Sequence, residues 1–127
     1  MSELLRKGFF RLARNVSKYS NHRYKVGAVI AHKKPISVGF NIIKTHPRYS
    51  NPNITKSISI HAEASALLKS YDAIFKDSVI YIYRENLKGE PAIARPCRDC
   101  MKLLKNYGIK KIYYTIDRKP FWKEEKL

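Results

Sequence analysis

The sequence predicts one α/β domain built on a mixed sheet of four to five strands, with helices on both faces. Three observations carry that expectation. The hydrophobic patterns run in the order helix, strand, strand, helix, strand, helix, strand. The first two strand patterns stand close enough to form a hairpin, whereas the later ones alternate with helical patterns, as in βαβ units. Finally, 127 residues with a hydrophobic fraction of 44% suit a single ordinary core.

The elements follow in order. Over residues 3–18, Leu5, Phe9, Leu12, Ala13 and Val16 fall on one helical stripe, with Arg6, Lys7, Arg11 and Arg14 on the wet side. Val26 to His32 and residues 36–40 are β-rich runs, and Lys33-Lys34-Pro35 between them reads as a hairpin turn. Residues 41–57 are polar and contain Pro47 and Pro52, which makes them a loop long enough to carry function. A helix over 61–71 is formed by Ala62, Ala64, Ala66, Leu67 and Leu68. Residues 78–83 read as a buried strand, and 84–95, with Gly89 and Pro91, as a loop. Pro96 suits the first position of a helix that runs to about Tyr107, where Gly108 stops it. Residues 109–116 form a further strand, and 117–127 are charged around Phe121-Trp122.

Charge narrows the partners. Lys and Arg number 26 against 10 acidic residues, for a formal net charge of +16. Such a field favours phosphorylated small molecules and polynucleotides. Lysine also outnumbers arginine, and Ile, Tyr and Asn are abundant, so compositional drift and a solvated surface account for the same excess. No apolar run approaches the roughly 18 residues that a membrane span needs. The first residues lack the pattern of a signal peptide. A cytoplasmic protein without a membrane partner is expected.

Both cysteines of the chain sit in Cys97-Arg98-Asp99-Cys100, which excludes a disulfide framework. A redox pair is the competing reading, but it leaves His61 and Glu63 without a role. Taken together, His61, Cys97 and Cys100 supply one imidazole and two thiols, a donor set that suits Zn²⁺ and leaves its fourth position open. His61 and Glu63 share the start of one helix, so Glu63 reaches the same cavity without ligating. Cys97 and Cys100 are three apart, on one helical face. An open zinc position activates water for hydrolysis, and Glu63 is placed to shuttle its proton. A closed structural site with His46 as fourth ligand is the alternative. His22 and His32 read as surface histidines.

The strings His61-Ala62-Glu63-Ala64 and Pro96-Cys97-Arg98-Asp99-Cys100 resemble the zinc motifs of the cytidine and deoxycytidylate deaminase superfamily. Tyr24-Lys25-Val26-Gly27-Ala28-Val29-Ile30 resembles its first strand, and Gly39-Phe40-Asn41 its G-x-N motif. The resemblance spans residues 19–116. It implies a three-layer α/β/α sandwich, zinc held by His61, Cys97 and Cys100, and proton transfer by Glu63. It further implies that Asn41 contacts the sugar or base and that the Ala62 backbone N–H holds the base carbonyl. As a plain reading, Asn41 is a turn residue after a strand. Deoxycytidylate deaminases usually continue with a further helix and strand. Too few residues follow Ile116 for both, so the fifth strand is expected to be missing or reduced to a stub. That part of the fold often builds oligomers, which leaves a homo-oligomer as an open expectation.

Ile43 stands where free-nucleoside deaminases of the family carry an acidic residue, and His61 where they use Cys. Arg95-Pro96-Cys97 departs from the Glu-Pro-Cys typical of tRNA adenosine deaminases. The stretch from Cys100 to Tyr114 looks like deoxycytidylate-type deaminases, which favours cytosine over adenine. By the resemblance, the long loop with Lys44, His46, Arg48 and Lys56 and the segment with Arg84, Lys88 and Arg95 border the pocket mouth. There their cations suit the phosphate of a nucleotide or the backbone of a strand on whose base Tyr49 stacks; solvated loops are the alternative. Three hypotheses follow: a deaminase of a cytosine mononucleotide (dCMP or CMP), a deaminase of cytosine in single-stranded DNA or RNA, and a basic nucleic-acid-binding module with a structural zinc.

Overall fold

A computed structural model describes residues 2–44, 58–68 and 75–127. Its elements are α1 (Ser2–Ser17), β1 (Val26–His32), β2 (Lys34–Phe40), β3 (Ile42–Lys44), β4 (Ile58–Ile60), α2 (Ala62–Leu68), β5 (Val79–Arg84), α3 (Arg98–Asn106), β6 (Lys111–Thr115) and β7 (Trp122–Lys126). The main sheet has the strand order β2-β1-β5-β6-β7. Within it β1 runs antiparallel to β2 and to β5, β5 is parallel to β6, and β7 is antiparallel to β6. This is the expected mixed α/β sheet.

Side chains alternate across the sheet because strand residues point to opposite faces in turn. On one face Ala28, Ile30, Ile80, Ile82, Ile112 and Tyr114 pack against Ala62, Ala66 and Leu67 of α2 and Leu104 of α3. On the other, Val29, Ala31, Tyr81, Tyr83 and Tyr113 pack against Ala13 of α1, with Phe9, Phe10 and Leu12 at its margin. The Tyr81 and Tyr113 rings stack at 4.6 Å, and Phe9 and Phe10 close on Tyr81 at 5.0 and 5.3 Å. The three layers of the expected sandwich are therefore α1, the sheet, and α2 with α3. Two glycines let the helices sit this close. A Cβ on Gly27 would run into the Ala13 carbonyl of α1, and one on Gly39 into the backbone of Ala66 in α2.

Several boundaries differ from expectation. The hairpin turn is Lys33 alone, at φ 65°, and β2 already starts at Lys34. Pro35 lies inside β2, opposite Ala31, which an edge strand tolerates because its N–H side need not pair. Residues 42–44, expected as loop, form β3 and pair with β4 in a separate two-stranded sheet. His46, Arg48, Tyr49 and Lys56, and the helical expectation for 69–71, lie outside the described residues.

The C-terminal strand is the largest correction. Rather than missing or a stub, β7 pairs with β6 over five residues, from Thr115↔Trp122 to Lys111↔Lys126. A tight turn replaces the additional helix: Phe121 N–H donates to the Arg118 carbonyl, and Ile116 N–H to that of Phe121. Its sequence, Trp-Lys-Glu-Glu-Lys, lacks the apolar alternation of a half-buried strand. Charged residues are what an edge strand carries to prevent further pairing. Among the described residues, no helix is long and apolar enough to cross a membrane.

Candidate metal centre and pocket

The chemistry-bearing residues sit at the starts of α2 and α3. His61 directly precedes α2, and its carbonyl accepts the first helical bond, from Ser65 N–H at 2.9 Å. Cys97 holds the matching place before α3. It is extended, at φ −68° and ψ 168°, and its carbonyl accepts from Met101 N–H at 2.9 Å. Its thiol makes no capping hydrogen bond, so the sulfur is available for another task. The helix thus starts at Arg98, and Pro96 stands two residues before it rather than at its first position. Cys100 lies in the first turn of α3 and Glu63 in the first turn of α2.

These placements bring three donors together. One donor atom each of His61, Cys97 and Cys100 lies within 4.8 Å of the other two. His61 Nδ1 is 3.2 Å from Cys100 Sγ and 3.7 Å from Cys97 Sγ. A tetrahedral ion with Zn–N near ~2.0 Å and Zn–S near ~2.3 Å requires N···S edges of about 3.5 Å. The observed separations bracket that edge. Burial pushes the Cys100 thiol well above its ordinary pKa, and the adjacent Glu63 carboxylate adds to the shift. A divalent cation reverses that cost by stabilising the thiolate. One nitrogen and two sulfurs, one of them buried beside a carboxylate, therefore fit zinc. Among the described residues no fourth His, Cys, Asp or Glu joins the trio. His46 lies outside them.

Two of the trio, His61 and Cys97, line a cavity of about 320 Å³, at the small end of small-molecule sites. His61, Cys97, Ala62 and Glu63 form its floor, and Tyr24, Asn41, Arg84 and Arg95 are among its walls. Glu63 is only 6% exposed. Burial pushes its carboxyl above the ordinary value, partly offset by its own backbone N–H, by Cys100 and by His61. Ala62 is buried in the first turn of α2, where helical N–H groups have no intrahelical acceptor.

Asn41 is buried and already occupied. Its Oδ1 accepts from Val26 N–H at 2.8 Å, and its Nδ2 donates to the Tyr24 carbonyl at 2.6 Å. Its carbonyl accepts from Ser20 Oγ at 2.6 Å. The side chain thus clamps the segment before β1, with one hydrogen and one lone pair left for a ligand. Asn41→Ala leaves Val26 N–H and the Tyr24 carbonyl unpaired. The expected loss is about 2–3 kcal/mol of stability, read as a lowered urea midpoint. An unchanged midpoint would contradict the clamp.

Arg95 differs from expectation more sharply. Its Nε and Nη2 fork onto Glu125 of β7 at 2.8 and 3.3 Å, and Tyr114 Oη donates to the same carboxylate at 2.8 Å. The guanidinium and the Tyr114 hydroxyl hold Glu125 below its ordinary carboxylate pKa. The Arg95 charge is thus matched by a carboxylate that sequence reasoning did not supply, because β7 was not expected. His22, read from sequence as a surface residue, is in the pocket wall, where its Nδ1 accepts from Tyr24 N–H at 3.0 Å. Lys88 is exposed and is not part of the wall.

The model of the cytidine and deoxycytidylate deaminase zinc-binding region matches residues 5–116. The chain belongs to this deaminase family. Among solved structures it is similar to the dCMP deaminase of the cyanophage S-TIM5 in apo form. The two are 25% identical, the match covers 94% of this chain and 88% of the other, and the TM-score is 0.65. The same phage enzyme in complex with dCMP and dUMP gives 25% identity, coverages of 93% and 85%, and a TM-score of 0.67. Cytidine deaminase from Burkholderia pseudomallei shares the fold at 15% identity, with coverages of 94% and 91% and a TM-score of 0.64. No curated protein matches the chain.

Membership makes zinc the cofactor of this deaminase family, and the convergence of His61, Cys97 and Cys100 is a place that can hold it. Sequence motifs located the trio and Glu63. They did not show that Tyr24 and His22 share the pocket with it, whereas Arg84 was expected at its mouth and lies in its wall. Those residues come from a loop and a strand end that only the folded sheet brings alongside α2 and α3.

Proposed function

We propose that this deaminase hydrolyses the amine of cytosine in a mononucleotide such as dCMP or CMP, giving uracil and ammonia. The observation that carries the reading is the three-donor cluster facing a small cavity, with the buried Glu63 carboxyl in the same floor. The likeness to a phage dCMP deaminase that has been captured with dCMP and dUMP supports the mononucleotide.

In this reading His61, Cys97 and Cys100 would hold the ion. Zinc, when bound, supplies a Lewis acid that brings the pKa of water toward neutrality. The remaining work falls to this chain's residues. Glu63 accepts a proton from the water and hands it to the ring nitrogen of the base. It then takes the proton of the hydroxyl added to the ring carbon and passes it to the amino group, which leaves as ammonia while the carbonyl forms. In the metal-free chain burial raises the pKa of Glu63, and a carboxyl that is too acidic would not give the proton back. The Ala62 N–H donates to the base carbonyl and orients the ring. The remaining capacity of Asn41 is available to the sugar.

A second reading is favoured by one observation. Tyr24 is 42% exposed at the cavity and lies under the guanidiniums of Arg23 and Arg84, at 5.7 and 5.3 Å. An exposed ring in a +16 chain suits stacking on a base of single-stranded DNA or RNA. A panel of dCMP, CMP, deoxycytidine, cytidine and short single-stranded DNA and RNA tests both, with uracil formation followed by mass. Turnover of dCMP or CMP above the others is expected. Turnover of oligonucleotides alone would select the second reading. Salt-sensitive binding without turnover by the zinc-loaded protein would overturn both and leave a nucleic-acid-binding module with structural zinc.

A further inference from the structure

The pocket wall contains two arginines with opposite circumstances. Arg95 is forked onto Glu125. Arg84 has no carboxylate within ion-pair distance among the described residues. Its Nε is buried without a hydrogen-bond partner, and its one side-chain bond runs from Nη1 to the Ile93 carbonyl at 3.3 Å. A buried donor left unpaired is costly, and an incoming acceptor removes that cost.

Arg84 is also held rigidly. It ends β5, opposite Val26 of β1. Its backbone N–H donates to Thr115 Oγ1 at 3.1 Å, and its carbonyl accepts from Ala92 N–H at 2.8 Å. The Tyr24 ring supports the guanidinium from one side at 5.3 Å. A planar fork fixed at one corner and stacked on a ring keeps its other N–H groups free, in the geometry that suits phosphate oxygens.

We infer that Arg84, backed by Tyr24, is the specificity-determining residue that binds a phosphoester of the substrate, and that Arg95 is not. The inference rests on the proposed deamination of a cytosine nucleotide and names the contact that selects a nucleotide over a nucleoside. The phosphoester belongs either to a mononucleotide or to a strand, and the test separates these.

Zinc-loaded Glu63→Gln protein allows binding to be measured without turnover. By calorimetry it should bind dCMP more tightly than deoxycytidine. Adding Arg84→Gln should weaken dCMP binding about tenfold to a hundredfold and leave deoxycytidine within about twofold. Arg84→Lys, which keeps the charge and loses the fork, should fall between. Unchanged zinc content and melting temperature would show that the fold persists. If a short oligodeoxynucleotide with one cytosine loses affinity and dCMP does not, the phosphoester is that of a strand and the inference stands. Equal losses for dCMP and deoxycytidine, no loss for any phosphoester, or loss of preference only with Arg95→Gln would each overturn it. Failure of the function reading is seen separately, as no uracil formed by the zinc-loaded wild-type chain from any substrate.

Discussion

Glu63→Gln should keep the zinc and the fold and lower deamination about a hundredfold to ten-thousandfold, the usual contribution of a positioned proton carrier. The amide has nearly the size of the carboxyl, so the buried floor of the cavity stays filled. It carries no proton that can be given up and recovered. Because Glu63 is not one of the three donors that converge, the metal content should be unchanged. Replacing a buried carboxyl whose pKa is raised by burial also removes a group that is costly to ionise, so the melting temperature should hold or rise. Ammonia release, metal content by mass spectrometry and thermal unfolding check the three claims on one preparation. Full activity in this variant would end the mechanism, and loss of zinc would make Glu63 a ligand rather than a shuttle.

Cys97→Ser should abolish zinc binding and with it the activity, while leaving the metal-free domain at least as stable as before. The reasoning is local. Cys97 is the cap of α3, and its thiol makes no capping bond. Serine is a strong capping residue, worth roughly 0.5–2 kcal/mol over a residue that does not cap. Any loss of stability in this variant therefore reports the metal and not the helix. A ligand that binds only the folded state at a thousandfold excess over its Kd stabilises by about 4 kcal/mol. Wild-type protein should lose an amount of that order on chelation, and Cys97→Ser should not respond to chelator. Cys100→Ser should also lose zinc, but with a lower metal-free stability, because Cys100 is buried and Cys97 is exposed. Equal metal content in wild type and Cys97→Ser would contradict the three-donor centre.

Both variants test residues legible in the sequence, because the spacing of His61, Glu63, Cys97 and Cys100 is local within each motif. A helix start places two residues a few positions apart almost regardless of what surrounds it. The helices and the central strands were legible for a similar reason. Ile80, Ile82 and Ile112 against Tyr81 and Tyr113 show the alternation of strands buried on both faces. The strand β7 was not legible, since edge strands are protected by charge and their pairing depends on a neighbour distant in sequence. The β3–β4 pair escaped for the same reason, its partners standing on opposite sides of residues 45–57.

The roles of the two pocket arginines could not be read from composition either. Arg84 and Arg95 are equivalent as letters. What separates them is Glu125, which reaches Arg95 only because β7 turns back along β6 and brings a carboxylate thirty residues away to 2.8 Å.

By itself the sequence determined the candidate donor set, the place of Glu63 beside it and the layered α/β architecture, because each is written in short-range spacing and periodicity. Tertiary structure alone decided which cations remain uncompensated at the cavity, which histidine and tyrosine line it, and where the last strand lies. Those outcomes depend on contacts between segments far apart in the chain, and the energy of a charge is set by its neighbours in space.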